Sequence, residues 1–333
     1  MRALRVVFFG TPDIAVPTLE TLLAGPHEVV GVVSQPDRGR GRGRKHSPSP
    51  VSEVALRASM PLLRPEKVGD AETVGALEAL RPDVGVVVAF GQFIPKKVRE
   101  LPSEGYLINA HASLLPKYRG AAPIARAILD GEAETGISVM RVEKEMDTGA
   151  VALVAKTPIG EDENAAELTE RLGGIAARAI AEALDRIAQG TVMWTEQDAT
   201  RATLAAKIEK HDAVLDLRDP ARALVARIHA VSPKPGGAVT LETEGAEPVV
   251  LKISRASAQS ADGAESSPGT LDMTDTESPL RIATGDGWLV PHVLQRPGGK
   301  PLPIADFLRG FDLPVKARLA IVPRPSEDEG GAS

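Results

Sequence analysis

Three short apolar runs set the strongest constraint on the fold of this chain. They are Leu4–Phe9, Val29–Val33 and Val84–Phe90, and turn residues separate each of them from a helical pattern. Strands that are buried on both faces have such runs, which are typical of parallel sheets covered by helices. Between the first two runs, apolar residues recur at helical spacing over residues 14–23. The pattern therefore predicts an α/β fold that begins β-α-β, Rossmann-like, with a parallel-type central sheet.

The first turn of this predicted fold excludes one large class of enzymes. Gly10-Thr11-Pro12-Asp13 follows the first run, so the Gly-x-Gly-x-x-Gly fingerprint of dinucleotide binding is absent. That fingerprint lets the backbone approach a pyrophosphate closely. We therefore reject a dinucleotide-dependent dehydrogenase.

The second half of the chain has a different pattern. The whole chain has 333 residues, a length that corresponds to about two domains. Several short strand-like runs alternate with Gly, Pro and Asp turns, which predicts a smaller β-barrel (OB-like) C-terminal domain. We place an N-terminal catalytic domain at 1–189, a linker at 190–208, the barrel at 209–323 and a disordered tail at 324–333. The Ser- and Ala-rich stretch 257–276 is expected to be a mobile loop.

Composition limits the compartment and the partners. The chain has no cysteine, which excludes disulfides and thiolate chemistry and suits a cytoplasmic protein. No apolar run approaches the roughly 18 residues of a membrane helix, and the apolar patch near the N-terminus is shorter than a secretory signal requires. The net charge is −6, so any nucleic-acid contact must come from a local basic patch.

Such a patch lies in the segment from Ser34 to Pro50. Between Arg38 and His46 it contains five positive charges and three glycines, and no acidic residue. A solvated flexible loop is the general interpretation of a charge run. A mobile loop that grips phosphates is the alternative, because arginine donates two hydrogen bonds and glycine permits close approach. The second interpretation is favoured here, since the segment interrupts the α/β domain near its ligand edge.

Asn109, His111 and Asp147 are the candidate catalytic residues. A short strand from Tyr106 to Ile108 ends at Asn109-Ala110-His111, and Asp147 lies in a later turn between two strands. Singly, Asn109 and Asp147 could be turn residues. Together, an amide donor, an imidazole and a carboxylate at strand ends suit a carbonyl reaction, because one group polarises the oxygen while the others handle protons. We therefore predict one site for the three.

The loop after the third apolar run has two interpretations. Gly91-Gln92-Phe93-Ile94-Pro95 could offer backbone groups to a flat heterocycle, or it could be an ordinary strand-to-loop transition. No Cys/His cluster is present in the sequence, so no metal is expected.

Several motifs resemble one known family, the 10-formyltetrahydrofolate-dependent formyltransferases. They are N-x-H at 109–111, SLLPKYRGAAPI at 113–124, and GIS with MDTG at 136–138 and 146–149. The start FFGTP, the basic segment and the C-terminal half are most similar to the members that act on initiator tRNA. The resemblance covers nearly the whole chain.

The resemblance implies transfer of a formyl group from 10-formyltetrahydrofolate to the α-amine of methionine on initiator tRNA, for translation initiation. It implies catalysis by Asn109, His111 and Asp147, without a metal, in a monomer. The implied folate contacts are Phe90, Gly91, Gln92, Ile94, Pro95, Ser113, Leu114, Leu115 and Pro116. The implied tRNA contacts are Arg38, Arg40, Arg42, Arg44, Lys45, Lys207 and Lys210.

Some positions depart from the family pattern, and two alternatives stay open. Phe90 stands where tyrosine is common, Leu217 where tryptophan is usual, and His229 where arginine is frequent. One alternative is a formyltransferase or hydrolase of the same fold that acts on a small amine or on formylfolate. The other is a non-catalytic RNA-binding protein, which leaves the candidate catalytic residues unexplained. The identity of the formylated acceptor distinguishes all three.

Overall fold

The chain forms two compact units in the computed structural model. The structure describes residues 2–40, 45–261, 266–275, 277–311, 313–314 and 317–322, and at residues 38, 40, 45 and 46 the backbone alone. The first unit comprises Met1–Ile124, Ala133–Ile159 and Glu167–Ala206; the second comprises Ala125–Glu132, Gly160–Ala166 and Lys207–Ser333.

The helices and strands follow the order of the apolar patterns. The helices are α1 (Val16–Ala24), α2 (Pro50–Arg57), α3 (Ala71–Leu80), α4 (Lys96–Arg99), α5 (Pro123–Leu129), α6 (Ala165–Ala188), α7 (Ala221–Ala230) and α8 (Ile304–Gly310). The strands of the first unit are β1 (Arg5–Gly10), β2 (Glu28–Val33), β3 (Arg38–Arg40), β4 (Lys45–Ser47), β5 (Leu62–Leu63), β6 (Val84–Val88), β7 (Leu107–His111), β8 (Arg119–Gly120), β9 (Glu134–Arg141), β10 (Val151–Pro158) and β11 (Leu204–Ala205).

The main sheet of the first unit has the order β10-β9-β7-β6-β1-β2-β5. Strands β5, β2, β1, β6 and β7 pair in parallel, as the apolar runs predict. Strands β9 and β10 are antiparallel, so the sheet is mixed at one edge. Every residue of β6 is buried, and β1 is buried after Arg5, because helices cover both faces of this sheet.

The register aligns the carboxyl ends of the central strands. Phe9 lies opposite Val87, and Val87 lies opposite Asn109. The ends of β1, β6 and β7 therefore lie at one edge of the sheet, where open α/β folds bind ligands.

The basic segment is more ordered at its base than the loop interpretation predicts. Strands β3 and β4 pair antiparallel, with residue 38 opposite Ser47. Below them, the hydroxyls of the buried residues Ser34 and Ser49 are 2.6 Å apart. Ser49 also caps α2 by accepting the Ser52 N–H, and Pro50 occupies the first helical turn. The two ends of the insertion are thus joined by a buried hydrogen bond.

The stretch predicted as a linker, 190–208, lies in the first unit up to Ala206. Thr195 pairs with Val151, and β11 (Leu204–Ala205) pairs in parallel with β8. The guanidinium carbon of Arg141 lies 4.3 Å from the Trp194 ring centroid and 4.4 Å from the Tyr106 ring centroid, and the two rings pack edge-to-face with their centroids 5.4 Å apart. Cation–π contacts and strand pairing hold this stretch in the first unit. Neither kind of contact requires apolar periodicity, so the attachment has no signal in the sequence.

The second unit contains one antiparallel sheet of short strands. They are β12 (Gly237–Glu242), β13 (Val249–Ser260), β14 (Leu271–Asp272), β15 (Arg281–Ala283), β16 (Gly287–Gln295), β17 (Leu302–Pro303) and β18 (Arg318–Ala320). Their order is β14-β15-β16-β13-β12-β18, with β17 beside β16.

A bridge between Thr270 and Arg318 joins the two ends of this path. The sheet is therefore a nearly closed barrel, as predicted, around a core that includes Ile228, Val239, Ile253 and Leu289.

The predicted mobile loop 257–276 is partly wrong. Residues 257–260 continue β13 and pair with β16, and Leu271–Asp272 forms β14. Polar residues alternate in these strands with small ones, so the composition resembled a loop although the backbone is paired. Residues 262–265, residue 276 and the predicted tail 324–333 lie outside the described part of the chain.

Among the described residues, no helix has the length and apolar character needed to cross a membrane.

Candidate active site

Asn109 and His111 lie on one face of β7. The strand runs from Leu107 to His111, so it does not end at Ile108 as the sequence suggested. Residues two apart on a strand point to the same side, which places both side chains together. The Asn109 amide makes no hydrogen bond within the described part of the chain, and its residue is only partly buried. A free amide donor therefore stands beside the imidazole.

The His111 imidazole is buried, and an oxygen atom lies near each of its two ring nitrogens. Its Nε2 lies 2.8 Å from the Tyr118 carbonyl oxygen, and its Nδ1 lies 3.5 Å from Asp147 Oδ2. A carbonyl oxygen can only accept, so Nε2 carries the hydrogen. Nδ1 is then the ring atom that can take up a proton, and a carboxylate stands beside it.

Asp147 reaches His111 by an unexpected route. In the antiparallel pairing of β7 with β9, Arg141 lies opposite Ile108 and Ser138 lies opposite His111. The turn after β9 therefore begins beside the start of β7, about 10 Å from His111 along the strand. Residues 142–150 fold back toward the imidazole. Asp147 lies in the turn between β9 and β10, as the sequence predicts, and the antiparallel register makes this turn start away from His111.

Backbone and side-chain bonds fix this folded-back turn. Asp147 has a φ of +55°, a left-handed conformation that costs a residue with a side chain about 1–2 kcal/mol. Its Oδ2 accepts the Gly120 N–H at 2.9 Å. The Gln197 amide donates to the carbonyl oxygens of Asp147 and Gly149 at 2.9 and 2.8 Å. A side chain at Gly149 would approach the Arg141 carbonyl oxygen to 2.0 Å, so only glycine fits there.

The loop after β7 has its own internal bonds. The buried Ser113 hydroxyl donates to the Lys117 carbonyl at 2.6 Å. Ser138 of β9 donates to the Ser113 carbonyl at 2.7 Å and accepts the Leu115 N–H at 3.1 Å. Thr203 accepts the Tyr118 N–H at 2.9 Å. These bonds place the Tyr118 carbonyl where it accepts from His111.

The predicted folate residues divide into two groups. Phe90, Ile94 and Ser113 are buried, and the Phe90 ring packs edge-to-face on Phe9 with the centroids 5.6 Å apart. Phe90 is therefore a core residue. The presence of phenylalanine where the family commonly has tyrosine affects the packing of this core. The other group has surface exposure: Gly91, Gln92, Pro95, Leu114, Leu115 and Pro116.

The Phe90 carbonyl ties this loop to its neighbours. It accepts hydrogen bonds from Thr11 Oγ1 and Gln35 Nε2, each at 3.0 Å. Gln92 turns the other way, since its side chain bonds the Val68 N–H and the Pro65 carbonyl, each at 2.9 Å.

A cavity of about 510 Å³ opens beside the same loop but does not include the catalytic candidates. Its lining comes from residues 66–70 and from Gln92, Phe93, Pro95 and Lys97. The polar cluster around His111 is the better candidate for the active site, because Asn109, His111 and Asp147 are all absent from the lining of this cavity.

The predicted tRNA contacts fall in two places. Arg42 and Arg44 lie outside the described residues, and at Arg38, Arg40 and Lys45 only the hairpin backbone is described. Lys207 and Lys210 are exposed in the second unit. Leu217 and His229, which depart from the family pattern, are both buried there, so these departures change the core of the second unit.

An ion pair organises the segment that carries Lys207 and Lys210. Arg126 makes two hydrogen bonds to Asp212, at 2.8 and 2.9 Å, and a third to the Lys207 carbonyl at 3.1 Å. Burial of Asp212 disfavours its charge, but the bonds from Arg126 and from the Glu209 N–H outweigh it and lower the pKa of Asp212.

Within the described ranges, no group of three or more His, Cys, Asp or Glu side chains is arranged to hold a metal ion.

Three groups that hold His111 and Asp147 in place have no individual signal in the sequence. They are the Tyr118 carbonyl, the Arg119 side chain and Gln197. Tyr118 and Arg119 lie within the SLLPKYRG motif, so the motif drew attention to the region without giving their roles. Gln197 lies in the aperiodic stretch that was interpreted as a linker, where no local pattern signals a contact.

Two family profiles match most of the chain. The one described as "Formyl transferase" matches residues 4–184, and the one described as "Formyl transferase, C-terminal domain" matches residues 207–312.

Curated relatives match over almost their full lengths. A methionyl-tRNA formyltransferase of Roseiflexus castenholzii is 42% identical over 318 residues, which is 95% of this chain and 99% of that protein. One of Citrifermentans bemidjiense is 40% identical, over 94% of this chain and 95% of that protein. One of Chromohalobacter salexigens is 43% identical, over 95% and 97%.

Solved structures share the fold at low sequence identity. An N-formyltransferase from Helicobacter canadensis, in complex with folinic acid and dTDP-3-aminofucose, has a TM-score of 0.62 at 16% identity over 88% of this chain and 99% of that one. HypX from Aquifex aeolicus in complex with tetrahydrofolic acid has a TM-score of 0.62 at 18% identity, over 92% of this chain and 47% of that one. On the two family matches and the full-length relatives together, the chain belongs to the formyl transferase family.

Proposed function

We propose that this protein transfers the formyl group of 10-formyltetrahydrofolate to the α-amine of methionine on initiator methionyl-tRNA. The observation that carries the proposal is the buried contact of 3.5 Å between His111 Nδ1 and Asp147 Oδ2, beside the unpaired Asn109 amide. Full-length similarity to methionyl-tRNA formyltransferases supports the choice of acceptor.

Proton transfer is the first task of the site. The attacking amine becomes positively charged as its nitrogen bonds to the formyl carbon, so it must lose a proton. His111 Nδ1 carries no hydrogen in the neutral ring, because the hydrogen lies on Nε2, which donates it to the Tyr118 carbonyl oxygen. Uptake of the proton makes an imidazolium, which the Asp147 carboxylate stabilises from 3.5 Å.

Charge on the formyl oxygen is the second task. The tetrahedral intermediate carries a negative oxygen, and a pre-positioned amide donor stabilises such an oxygen by about 2.7–4 kcal/mol in known oxyanion sites. Asn109 presents the free amide on the face of β7 that also carries His111. Breaking the bond between the formyl carbon and N10 of the folate then returns the proton from the imidazolium to the leaving nitrogen.

The two substrates are assigned to different groups of residues. We infer that the folate lies along Gly91–Pro95 and Leu114–Pro116, which follow neighbouring strands β6 and β7. The basic segment at 38–45 would bind tRNA phosphates, and Lys207 and Lys210 of the second unit are proposed as separate phosphate contacts. The proposal needs no metal, and it describes a monomer acting in the cytoplasm with a catalytic domain at 1–189 and a barrel domain at 209–323.

The test is a formylation assay with 10-formyltetrahydrofolate and initiator methionyl-tRNA. Wild type, His111→Ala and the control His292→Ala are compared; His292 is exposed and bonds Ser257 in the second unit. We expect full activity in wild type and in the control, and a loss of about 10²–10⁴-fold in His111→Ala.

Other outcomes would redirect the proposal. Formylation of a small amine with no use of tRNA would keep the catalytic residues and overturn the acceptor. Turnover that His111→Ala leaves unchanged would move the chemistry elsewhere. Salt-sensitive RNA binding without any turnover would support a binding protein.

A further inference from the structure

We propose that Gln197 is a positioning residue for Asp147, acting through a closed ring of hydrogen bonds. The inference rests on the proposed function, because it extends the catalytic role of Asp147. Gln197 touches neither of the other catalytic candidates, and it lies more than 45 positions along the chain from Asp147. Its effect on the reaction would pass entirely through the turn that carries the carboxylate.

The ring begins and ends at Asp147. The Asp147 carboxylate accepts the Gly120 N–H at 2.9 Å. The preceding residue, Arg119, donates from Nε and Nη2 to Gln197 Oε1 at 3.1 and 2.8 Å. Gln197 Nε2 then donates to the Asp147 carbonyl at 2.9 Å and to the Gly149 carbonyl at 2.8 Å. The carboxylate and the backbone of one residue are therefore fixed from two sides.

The chemistry of the partners requires an amide at this position. Arginine can only donate and carbonyl oxygens can only accept, so the middle residue must present an acceptor at one end and donors at the other. Glutamine meets both needs. Glutamate would keep the Arg119 contact but would place a negative oxygen against two carbonyl oxygens.

The turn needs such support because its conformation is unfavourable. Asp147 has a φ of +55° and Gly120 a φ of +125°, so the two residues whose contact sets the carboxylate are both in the positive-φ region. A residue with a side chain there persists only when its surroundings hold it. The turn also starts beside Ile108, far from His111, so local sequence alone does not bring Asp147 to the imidazole.

Gln197 itself is firmly placed. It follows Thr195, which pairs with Val151, and it precedes the short pairing of Leu204–Ala205 with Arg119–Gly120. Arg119 N–H also donates to the Thr203 carbonyl at 2.9 Å. The stretch 195–205 is thus attached to β10 on one side and to β8 on the other, and it can hold the ring rigid.

The experiment compares Gln197→Met, Gln197→Glu and the control Gln189→Glu across pH 5–9. Gln189 is exposed at the end of α6, outside the site. We expect kcat of both Gln197 variants to fall about 10–100-fold while KM for donor and acceptor changes less than about threefold, since the substrate contacts stay. The pH profile of kcat should shift, because Asp147 no longer faces Nδ1 in one geometry. The control should match wild type.

A double-mutant cycle with Arg119→Met tests the ring as a unit. The double variant should lose no more activity than the more damaging single variant, because either change opens the same ring. Fully additive losses would overturn the ring. A rise in KM at unchanged kcat would also overturn it, as would a loss of activity that merely follows a lower Tm.

A second measurement separates this inference from the proposed function. Histidine NMR titration of the resting protein follows His111, identified by the signal that His111→Gln lacks. A changed His111 midpoint in Gln197→Met supports the ring even if wild type formylates no tRNA. An unchanged midpoint in a folded variant overturns it even if wild type is fully active.

Discussion

The Nε2 atom of His111 lies 2.8 Å from the carbonyl oxygen of Tyr118, which leaves Nδ1 as the ring atom facing Asp147. The contact fixes both the orientation of the ring and the nitrogen that carries the hydrogen. It also ties the orientation of the ring to the conformation of the loop that carries Tyr118. The consequence is a set of variants whose effects on catalysis and on stability should separate.

Asp147→Asn and Asp147→Ala should differ in stability while both lose activity. Asparagine tolerates positive φ at least as well as aspartate, so the turn should survive in Asp147→Asn, and kcat should fall about 10²-fold or more because the carboxylate is gone. Alanine pays the full conformational cost and should also lower the free energy of unfolding by about 1 kcal/mol. Steady-state kinetics and urea unfolding check this, and equal stability of the two variants would contradict it.

Gly149→Ala should disrupt the same turn without removing any functional group. A Cβ at this position would lie 2.0 Å from the Arg141 carbonyl oxygen, so the backbone must shift and carry Asp147 with it. We expect a lower kcat and a lower Tm. Gly174→Ala on α6 is the matched control, because its nearest neighbour is a flexible arginine end at 3.8 Å. A Gly149→Ala protein with wild-type kcat would show that the turn can adapt.

Arg42→Ala should weaken the use of tRNA far more than the binding of folate. Loss of a phosphate contact should raise KM for tRNA and reduce the slope of log affinity against log salt by about one unit. Arg178→Ala, an exposed arginine on α6, removes the same charge elsewhere and should leave both substrates unaffected. Filter binding at several salt concentrations gives the slope, and an equal loss for folate and tRNA would remove the hairpin from the acceptor site.

Arg126→Met should destabilise the second unit strongly at neutral pH. It leaves the buried Asp212 carboxylate without its main partner, and breaking a buried pair in this way costs about 3–5 kcal/mol. The pKa of Asp212 is lowered in the folded state, so the pair stabilises the fold above the unfolded pKa and loses this effect as pH falls. The difference between variant and wild type in urea unfolding should therefore shrink below about pH 4. A difference that is constant with pH would point to packing alone.

Asp272 should contribute a pH dependence of its own in the barrel. Hydrogen bonds from the hydroxyl and N–H of Thr274, with further bonds from Arg281, lower the pKa of Asp272 to about 2. Its stabilising effect is complete above the unfolded value near 3.8 and is lost as pH falls through about 2. Between these limits, the unfolding free energy should depend less steeply on pH in Asp272→Asn than in wild type. The difference in slope corresponds to at most one proton bound on unfolding. NMR titration of the carboxyl measures the pKa directly.

The sequence by itself determined the elements that depend on local pattern. Short runs rich in valine such as Val84–Val88 favour strands over helices, and their parallel arrangement follows from the helical segments between them. The residue types Asn109, His111 and Asp147 indicated carbonyl chemistry because few other groups can polarise an oxygen and move a proton. The positive charge of the basic segment follows from its residue types alone, whatever conformation its backbone adopts.

Only the tertiary structure decided how Asp147 comes to lie beside His111. The antiparallel register of β9 starts the Asp147 turn beside Ile108, and a left-handed residue and the Gln197 bonds return it to His111. The stretch 190–206 belongs to the first unit through a cation–π contact of Trp194 with Arg141 and through short strand pairings, none of which has a period in the sequence. Hydrogen bonds between residues far apart in the chain have a precise geometry but no local signature. That is the physical reason why the sequence singles out His111 as a candidate and carries no signal for the contacts of Gln197.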